Sequence, residues 1–521
     1  MTKALLCFAL ALLPVAARAG EPPAVVHPYE TDVTTAPSPL DGLVLTALKK
    51  QGIEPARLCS DAVFIRRVYL DVTGELPGPE DVRAFLKDRG PGKRAALIDE
   101  LLARDVFADM WAMKWCDLLR VKAEYPVNVW PNAAQAFHRW IRDQLRANRP
   151  YDQFAREMLT ASGSNFRVAA VNFYRAIQGR TPAAMADAAA LTFMGARAGA
   201  WPEARRAAMA VFFSRVMFKP TAEWKEEIVC LDPAPAGPLV TTFPDGQTAR
   251  IAADEDPRRV FADWLISPSN PWFGRNIVNR VWAWLLGRGI IHEPDDIRPD
   301  NPPSNPELLA YLESELAAGK YDLRRIYRLI LNSRTYQQSP IPRSSHPDAE
   351  RLFAFYKVRR LDAEALSDML RQITGGGETY SSPIPEPFTF IPGGQRAVEL
   401  ADGSITSPFL ELFGRPARDT GLESERDNNP SPGQRLFLIN SAAFQRRIER
   451  SGRLRAVIDR AKGDRLKVVD DLYLTILSRL ATPAEIAALR QYAAKPGLGP
   501  GQAVQDLVWA LINSREFLYR H

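Results

Sequence analysis

The sequence predicts a mostly α-helical protein with two helical domains, a short β-hairpin insert between them and a long irregular segment in the second domain. Three observations lead to this prediction. Apolar residues recur at helical spacing, most clearly between residues 111 and 119. Residues 239–251 instead show two strand-like runs around a turn signal. Residues 374–432 are rich in Gly, Pro and Ser and show no period.

Residues 41–220 form the first predicted helical domain. Pro79-Glu80-Asp81 marks a helix start, because proline suits the first helical turn and acidic side chains favour the positive end of the helix dipole. Further along, one apolar stripe follows the i, i+4, i+7, i+8 spacing of a buried helix face. It consists of Trp111, Trp115, Leu118 and Leu119.

Residues 221–255 form a predicted linker that contains the hairpin. The run Leu239–Phe243 is followed by Asp245-Gly246, a favoured turn pair, and by Thr248–Ile251. The second domain, predicted over residues 256–517, is helical apart from the irregular stretch 374–432. A stretch of that length is either a functional surface or poorly ordered chain.

The first residues have the layout of a secretory signal peptide over residues 1–19. Lys3 is followed by an apolar run from Ala4 to Leu13, and Ala17-Arg18-Ala19 is a small-x-small cleavage site. An uncleaved anchor is the alternative, although the run is shorter than the ~20 residues that span a membrane. Residues 20–40 form a Pro-rich linker. We therefore expect an exported protein, periplasmic or extracellular after cleavage, with no transmembrane segment in the mature chain.

The formal net charge is +6. Basic residues are often interleaved with acidic ones, so pairs such as Arg446-Arg447 are interpreted as solvated helix faces with ion pairs. A weak attraction to anionic surfaces follows from the net charge. The sequence contains no basic stripe with interleaved aromatic residues, so we do not expect nucleic acid as a partner.

Several motifs occur in a fixed order along the chain. The first is Phe64–Pro77, and later ones are Asn270–Phe273, Arg298–Ser304, Leu331–Tyr336 and Phe413–Pro416. Together they resemble a family of large secreted planctomycete-type proteins that contain a pair of domains of unknown function and are often associated with cytochrome c domains. The resemblance spans roughly residues 45–517 and implies, as partners, exported proteins encoded nearby, cytochromes among them.

Two cysteine motifs of that family are absent from this chain. Many relatives carry Cys-x-x-Cys-His where this chain has Met194–Pro202, and Cys-Glu-Cys-Glu-Arg where it has Leu422–Arg426. Covalent haem attachment needs two thiols and an axial His close together, so no cofactor is predicted at the equivalent place. The leading hypothesis is therefore a binding or scaffold protein, a redox-silent relative of cytochrome-associated proteins.

The catalytic candidates are Glu423, Glu425 and Arg426, with Asp71 as a further one. In a strand, the two glutamates would share one face and could act as general acid and base. This leads to the alternative hypothesis, an extracytoplasmic hydrolase. The competing interpretations are ion pairs with Arg415 and Arg418 for the cluster, and a turn in which Asp71 accepts backbone hydrogen bonds. Whether the protein is an enzyme stays open.

One acidic loop offers hard oxygen ligands that would suit calcium. Its candidate ligands are Asp295, Asp296, Asp300 and Asn301. An ion-paired turn around Arg298 is the alternative. A third hypothesis, a non-covalent redox partner that uses His292, rests on a single side chain. Three cysteines follow the signal segment, Cys59, Cys116 and Cys230, which allows one disulfide at most.

Overall fold

A computed structural model describes residues 26–33, 36–234 and 237–521. The predicted signal peptide, residues 1–19, lies outside the described residues, as does part of the predicted Pro-rich linker. The chain is about 52% helical with a few short strands, so the mostly α prediction is confirmed. No helix in the described part of the chain is long and apolar enough to cross a membrane.

The first half of the chain is a succession of short helices with local start and stop signals. Ser38 caps the first helix with a capping box, and Gly74 ends the second in the left-handed conformation at φ 68°. The helices are α1 (Pro39–Lys50), α2 (Asp61–Thr73), α3 (Pro79–Lys87), α4 (Lys93–Ala103), α5 (Asp105–Leu118), α6 (Pro131–Arg146), α7 (Tyr151–Thr160), α8 (Asn172–Arg175), α9 (Pro182–Ala189) and α10 (Glu203–Ala210).

Two small antiparallel sheets are formed mainly by residues 216–251, and one of them also takes a short strand from the first helical region. The predicted hairpin is confirmed, since β4 (Leu239–Thr242) pairs with β5 (Thr248–Ile251). A three-stranded sheet, which the sequence patterns did not indicate, has the order β1-β3-β2. Its strands are β1 (Gly163–Ser164), β2 (Val216–Pro220) and β3 (Glu227–Leu231).

The second half is again helical, and its last strand pair joins the C-terminus to the start of helix α15. The elements are α11 (Pro257–Leu265), α12 (Phe273–Leu286), α13 (Pro306–Ala318), α14 (Leu323–Leu331), β6 (Arg359–Arg360), α15 (Ala363–Thr374), α16 (Pro408–Leu412), α17 (Pro432–Asn440), α18 (Ala442–Glu449), α19 (Gly452–Arg460), α20 (Arg465–Leu477), α21 (Pro483–Ala493), α22 (Pro500–Ile512), α23 (Arg515–Leu518) and β7 (Tyr519–Arg520).

The buried apolar residues form two clusters. The larger one joins helices from both halves, and its members include Trp111 and Trp284, whose ring centroids lie 5.3 Å apart. The smaller one comprises residues from 361 to 517 together with Leu70 and Leu76 of the first half. The predicted apolar stripe of α5 is therefore core, and Cys116 lies in it as a buried free thiol.

The segment 374–432 is irregular, as predicted, with α16 as its single α-helix among the described residues. Buried arginines hold it in place. Arg415 donates to the carbonyl oxygens of Gly403 and Ile405, and Arg418 donates to that of Ala401 at 2.9 Å. A loop that buries backbone needs such partners, because an unpaired buried carbonyl is costly. The segment also contacts the end of α5, where Arg418 donates to the carboxylate of Asp117 at 2.8 Å.

Candidate functional site

Arg426 is the centre of a buried ion network that joins the two halves of the chain. Its guanidinium donates to Asp117 at 2.7 Å and to Glu364 at 2.6 Å. Burial lowers the pKa of Arg426, but the carboxylates of Asp117, Glu364 and Asp362 raise it well above its ordinary value. This group therefore stays charged and acts as a bridge between α5 and α15.

The buried charge network, as we name it, consists of paired carboxylates and cations: Lys114, Asp117, Asp362, Glu364, Arg415, Arg418, Arg426 and Arg520. Asp362 is representative, since it lies 3.0 Å from Lys114 and 2.7 Å from Arg520. Although burial raises the pKa of Asp362, these cations and Arg426 bring it well below the ordinary value. Burial likewise raises the pKa of Asp117, but Arg426 and Arg418 bring it below the ordinary value. Glu364 pairs with Arg415 and Arg426.

Asp71 extends the same network. It lies inside α2 and not in a turn, so the predicted turn role is wrong. Its carboxylate accepts from the hydroxyl of Tyr336 at 2.8 Å and of Tyr356 at 3.2 Å, and it lies 3.1 Å from Arg520. The side chain is fully buried. Asp71 therefore ties the C-terminus to α2, and its buried carboxylate is engaged by these three partners.

Glu423 and Glu425 lie in a single 3-10 turn, so the expectation of a shared strand face is wrong. Glu423 accepts from the indole Nε1 of Trp284 at 2.9 Å. Glu425 accepts instead from the backbone N–H groups of Asp419 and Thr420. Burial raises the pKa of Glu423, with Lys114 and Arg280 acting in the opposite direction. The two carboxylates thus have separate partners.

A small cavity lies between Glu423 and the buried charge network. Lys114, Asp117, Glu423 and Arg426 contribute its polar lining. Its volume is about 10 Å³, which is close to the space that one water needs. The cavity beside the predicted catalytic residues is therefore lined by charged side chains, but it is too small for an organic substrate.

The acidic loop is divided between the interior and the surface. Asp295 is fully buried and lies 2.6 Å from Arg280, whereas Asp296 and Asp300 both pair with the exposed Arg298. The amide of Asn301 donates to the carbonyl oxygen of Asp296. Among the described residues, no group of three or more His, Cys, Asp or Glu side chains is placed to hold a metal ion. His292 lies exposed near this loop without a second ligand of that kind.

A second charged region is a wide cleft between the end of α15 and the helices α18 and α19. Its volume is about 710 Å³. We call it the arginine cleft, since its lining includes Gly375, Gly376, Arg446, Arg447, Arg450 and Arg453. Arg447 pairs with Glu378 at 2.7 Å, and Arg453 donates to the carbonyl oxygen of Gln372 at 2.6 Å.

Arg446 and Arg450 are exposed, and they differ from Arg447 and Arg453 in their contacts. Their side chains have no hydrogen-bond or ion-pair partner in the described part of the chain. The interpretation of Arg446-Arg447 as an ion-paired helix face is therefore correct for Arg447 and wrong for Arg446. The sequence contains one signal for a positively charged region here, because residues 435–467 contain ten Lys or Arg and three Asp or Glu.

In comparisons with known proteins, two family models match the chain. A family model described as a protein of unknown function (DUF1549) matches residues 39–198, and a second (DUF1553) matches residues 257–493. No curated protein and no solved structure matches the chain. The buried charge network takes residues from both matched regions, whereas the arginine cleft lies wholly within the second. The chain therefore contains both of these domains of unknown function, one in each half.

Proposed function

We propose that this protein acts by binding, and that its ligand is an anion held in the arginine cleft. The observation that carries the proposal is that Arg446 and Arg450 face a cleft of about 710 Å³ without a side-chain partner among the described residues. Guanidinium groups bind oxyanions through paired, charge-assisted hydrogen bonds. A cleft with two unpaired guanidinium groups thus has the chemistry of an anion receptor.

The hydrolase alternative has less support from the geometry. Glu423 and Glu425 have different partners, and the cavity beside Glu423 has room for about one water. General acid and base groups must both reach the reacting atoms. The carboxylates of the buried charge network are instead engaged by cations, which favours a role in holding the two halves of the chain together.

Thermal unfolding in the presence of anions tests the binding proposal. A ligand that binds only the native state raises Tm by mass action. At constant ionic strength we expect pyrophosphate to raise the Tm of the wild-type protein and of the R455Q/R460Q variant, but not of R446Q/R450Q. Arg455 and Arg460 are exposed on α19 and do not line the cleft, so this control removes the same charge. Equal shifts in all three proteins would overturn the proposal.

We also propose that the protein is exported and redox-silent, and that it works beside exported proteins encoded nearby, cytochromes among them. The signal-like residues 1–19 support export. Where relatives carry a haem motif, Met194, Ala196 and Ala198 pack in the buried core. We expect the natively produced protein to begin at Gly20 and to lack a Soret band. An observed Soret band would overturn the redox-silent part of the proposal.

A further inference from the structure

The arginine cleft has a surplus of positive charge that its own carboxylates leave uncompensated. Arg446, Arg447, Arg450 and Arg453 line it, and Glu378 is paired with Arg447 alone. Arg453 is held by a neutral carbonyl oxygen. Four guanidinium groups therefore meet one carboxylate, which leaves three positive charges for a ligand to neutralise.

The sequence around the cleft amplifies this surplus. With ten basic and three acidic residues, the stretch 435–467 carries a formal charge of +7, whereas the whole chain carries +6. The positive charge is thus concentrated in α18, α19 and their flanks and not spread over the molecule. A concave region of one sign raises the local concentration of ions of the opposite sign.

The four guanidinium groups divide into a fixed pair and an unattached pair. A Cβ atom added to Gly376 would lie 3.7 Å from Cγ of Arg447, and one added to Gly375 would lie 3.5 Å from Cγ of Arg453. The aliphatic parts of Arg447 and Arg453 therefore pack against Gly375 and Gly376. Their guanidinium groups are held by Glu378 and by the carbonyl oxygen of Gln372. Arg446 and Arg450 are one helical turn apart, a spacing that puts both side chains on the same face.

The oxyanion that suits this arrangement has more than two acceptor atoms. A single carboxylate carries one negative charge and two acceptor oxygens, which is less charge and fewer acceptors than two pairs of guanidinium groups can use. A phosphate or sulfate ester presents three acceptor oxygens and can accept from two guanidinium groups together. Two phosphate monoester groups carry about three to four negative charges near neutral pH, enough to neutralise the surplus in the cleft, and two sulfate ester groups carry about two, which neutralises most of it.

We infer that the arginine cleft binds a ligand that bears two phosphate or sulfate ester groups. The inference rests on the proposed anion-binding function and deepens it by naming the ligand chemistry. The cleft volume of about 710 Å³ falls within the range of small-ligand sites. Such a ligand places one ester group at Arg446 and Arg450 and the other at Arg447 and Arg453, so that both pairs are used.

Isothermal titration calorimetry at low ionic strength tests the ligand class. The probes are fructose 1,6-bisphosphate, a disulfated disaccharide and tricarballylate, which carries three carboxylates. We expect at least one of the two probes that carry two ester groups to bind the full-length wild-type protein at least about ten-fold more tightly than tricarballylate. Equal binding of all three would overturn the ligand class and leave the anion-binding function standing. No saturable binding of any probe would overturn both.

Vesicles distinguish the source of the ester groups. Vesicles that contain phosphatidylinositol bisphosphate are compared with vesicles of phosphatidylcholine alone. Co-sedimentation with the former, competed by fructose 1,6-bisphosphate, would assign the cleft to a lipid headgroup. Binding of the soluble ester without co-sedimentation would assign it to a soluble or polymer-borne ester. Either result supports the inference, whereas co-sedimentation that the soluble ester does not compete would contradict it.

Paired variants locate the binding in the cleft. R446Q/R450Q is expected to weaken binding of the tighter-binding ester probe at least about ten-fold, because each hydrogen bond to a charged group contributes appreciably. R455Q/R460Q removes the same charge from α19 outside the cleft and is expected to change the affinity less than about two-fold. An equal loss in the two variants would show attraction to net charge and would overturn the site.

Discussion

The buried charge network and the arginine cleft are both rich in arginine, yet the two regions differ in what the arginines contact. In the network, Arg418 and Arg426 donate to Asp117, and Arg415 lies 3.3 Å from Glu364. In the cleft, Arg446 and Arg450 contact no partner side chain within the described ranges. The network also leaves a cavity of about 10 Å³, whereas the cleft measures about 710 Å³.

This difference separates a structural use of charge from a binding use. A buried ion whose partner is already present has a compensated charge, and removing one member leaves an uncompensated charge. An exposed arginine without a partner contributes little to the free energy of unfolding. Its guanidinium N–H groups can therefore donate to a ligand. Helix α15 connects the two, since Glu364 lies in its first turn and Gly375 caps its end.

The largest effect is expected from Arg426→Ala. The substitution leaves Asp117 and Glu364 buried without their shared cation, which typically costs about 3–5 kcal/mol. Urea denaturation followed by circular dichroism measures the loss of stability. Arg435→Ala, an exposed position on α17, is the matched control and is expected to stay within about 0.5 kcal/mol of wild type. Similar unfolding midpoints for the two variants would contradict a structural role for the network.

A pH-dependent effect of intermediate size is expected at Asp368, which lies on α15 between the two regions. Burial raises the pKa of Asp368 to about 6, and its carboxyl accepts from the backbone N–H groups of Ala397 and Val398. In the unfolded chain the pKa is about 3.9. The folded protein therefore keeps a proton that the unfolded chain releases between these values. Stability from this group is present below about pH 4 and is lost as the pH rises to 6, by about 3 kcal/mol in total.

The variant Asp368→Asn isolates this contribution. An amide does not titrate, so the variant should gain stability relative to wild type as the pH rises from 4 to 6. Denaturation of both proteins at pH 4, 5, 6 and 7 gives the difference directly. Asp117 and Asp362, whose pKa values are lowered, act with the opposite sign but are common to both proteins. A difference that does not change with pH would contradict the assignment.

A smaller effect is expected from Glu423→Gln. The amide oxygen can still accept from Trp284, and burial already favours the neutral form because it raises the pKa of Glu423. We expect a change in stability below about 1 kcal/mol and no change in anion affinity at the arginine cleft. Calorimetry on this variant sharpens the comparison, because a loss of affinity would mean that the two charged regions are not separate.

The smallest stability effect is expected from R446Q/R450Q. Like charges spaced at i and i+4 repel, so their removal should stabilise the fold by about 0.2–0.5 kcal/mol. The Tm without ligand measures this change, with R455Q/R460Q as the comparison. Destabilisation by more than about 1 kcal/mol would show that these arginines hold the fold together, which would remove the distinction between the two regions.

The fold was largely predictable because its signals are local. The pair Asp245-Gly246 between two short strand-like runs indicated the hairpin, and the apolar stripe on α5 indicated a buried helix. The β1-β3-β2 sheet was missed because β1 has two residues and pairs with a strand more than sixty positions away. No short-range pattern encodes such a contact.

The candidate site was less predictable, because it depends on which side chains meet in space. Alternating spacing put Glu423 and Glu425 on one face, but a 3-10 turn advances by about 120° per residue and points them to different partners. Arg446 and Arg447 are adjacent in sequence, and only the fold shows that Glu378 reaches one of them. The sequence shows the excess of basic residues in 435–467. It does not show the cleft, which forms where the end of α15 meets α18 and α19.

The most direct test of the account is the affinity of pyrophosphate for R446Q/R450Q measured beside that for R455Q/R460Q by calorimetry. The two variants have the same net charge and differ in whether the missing guanidinium groups line the arginine cleft. We predict that R446Q/R450Q binds pyrophosphate at least about ten-fold more weakly than R455Q/R460Q. Equal affinities would contradict it and would assign the positive charge of this region to the solvated surface.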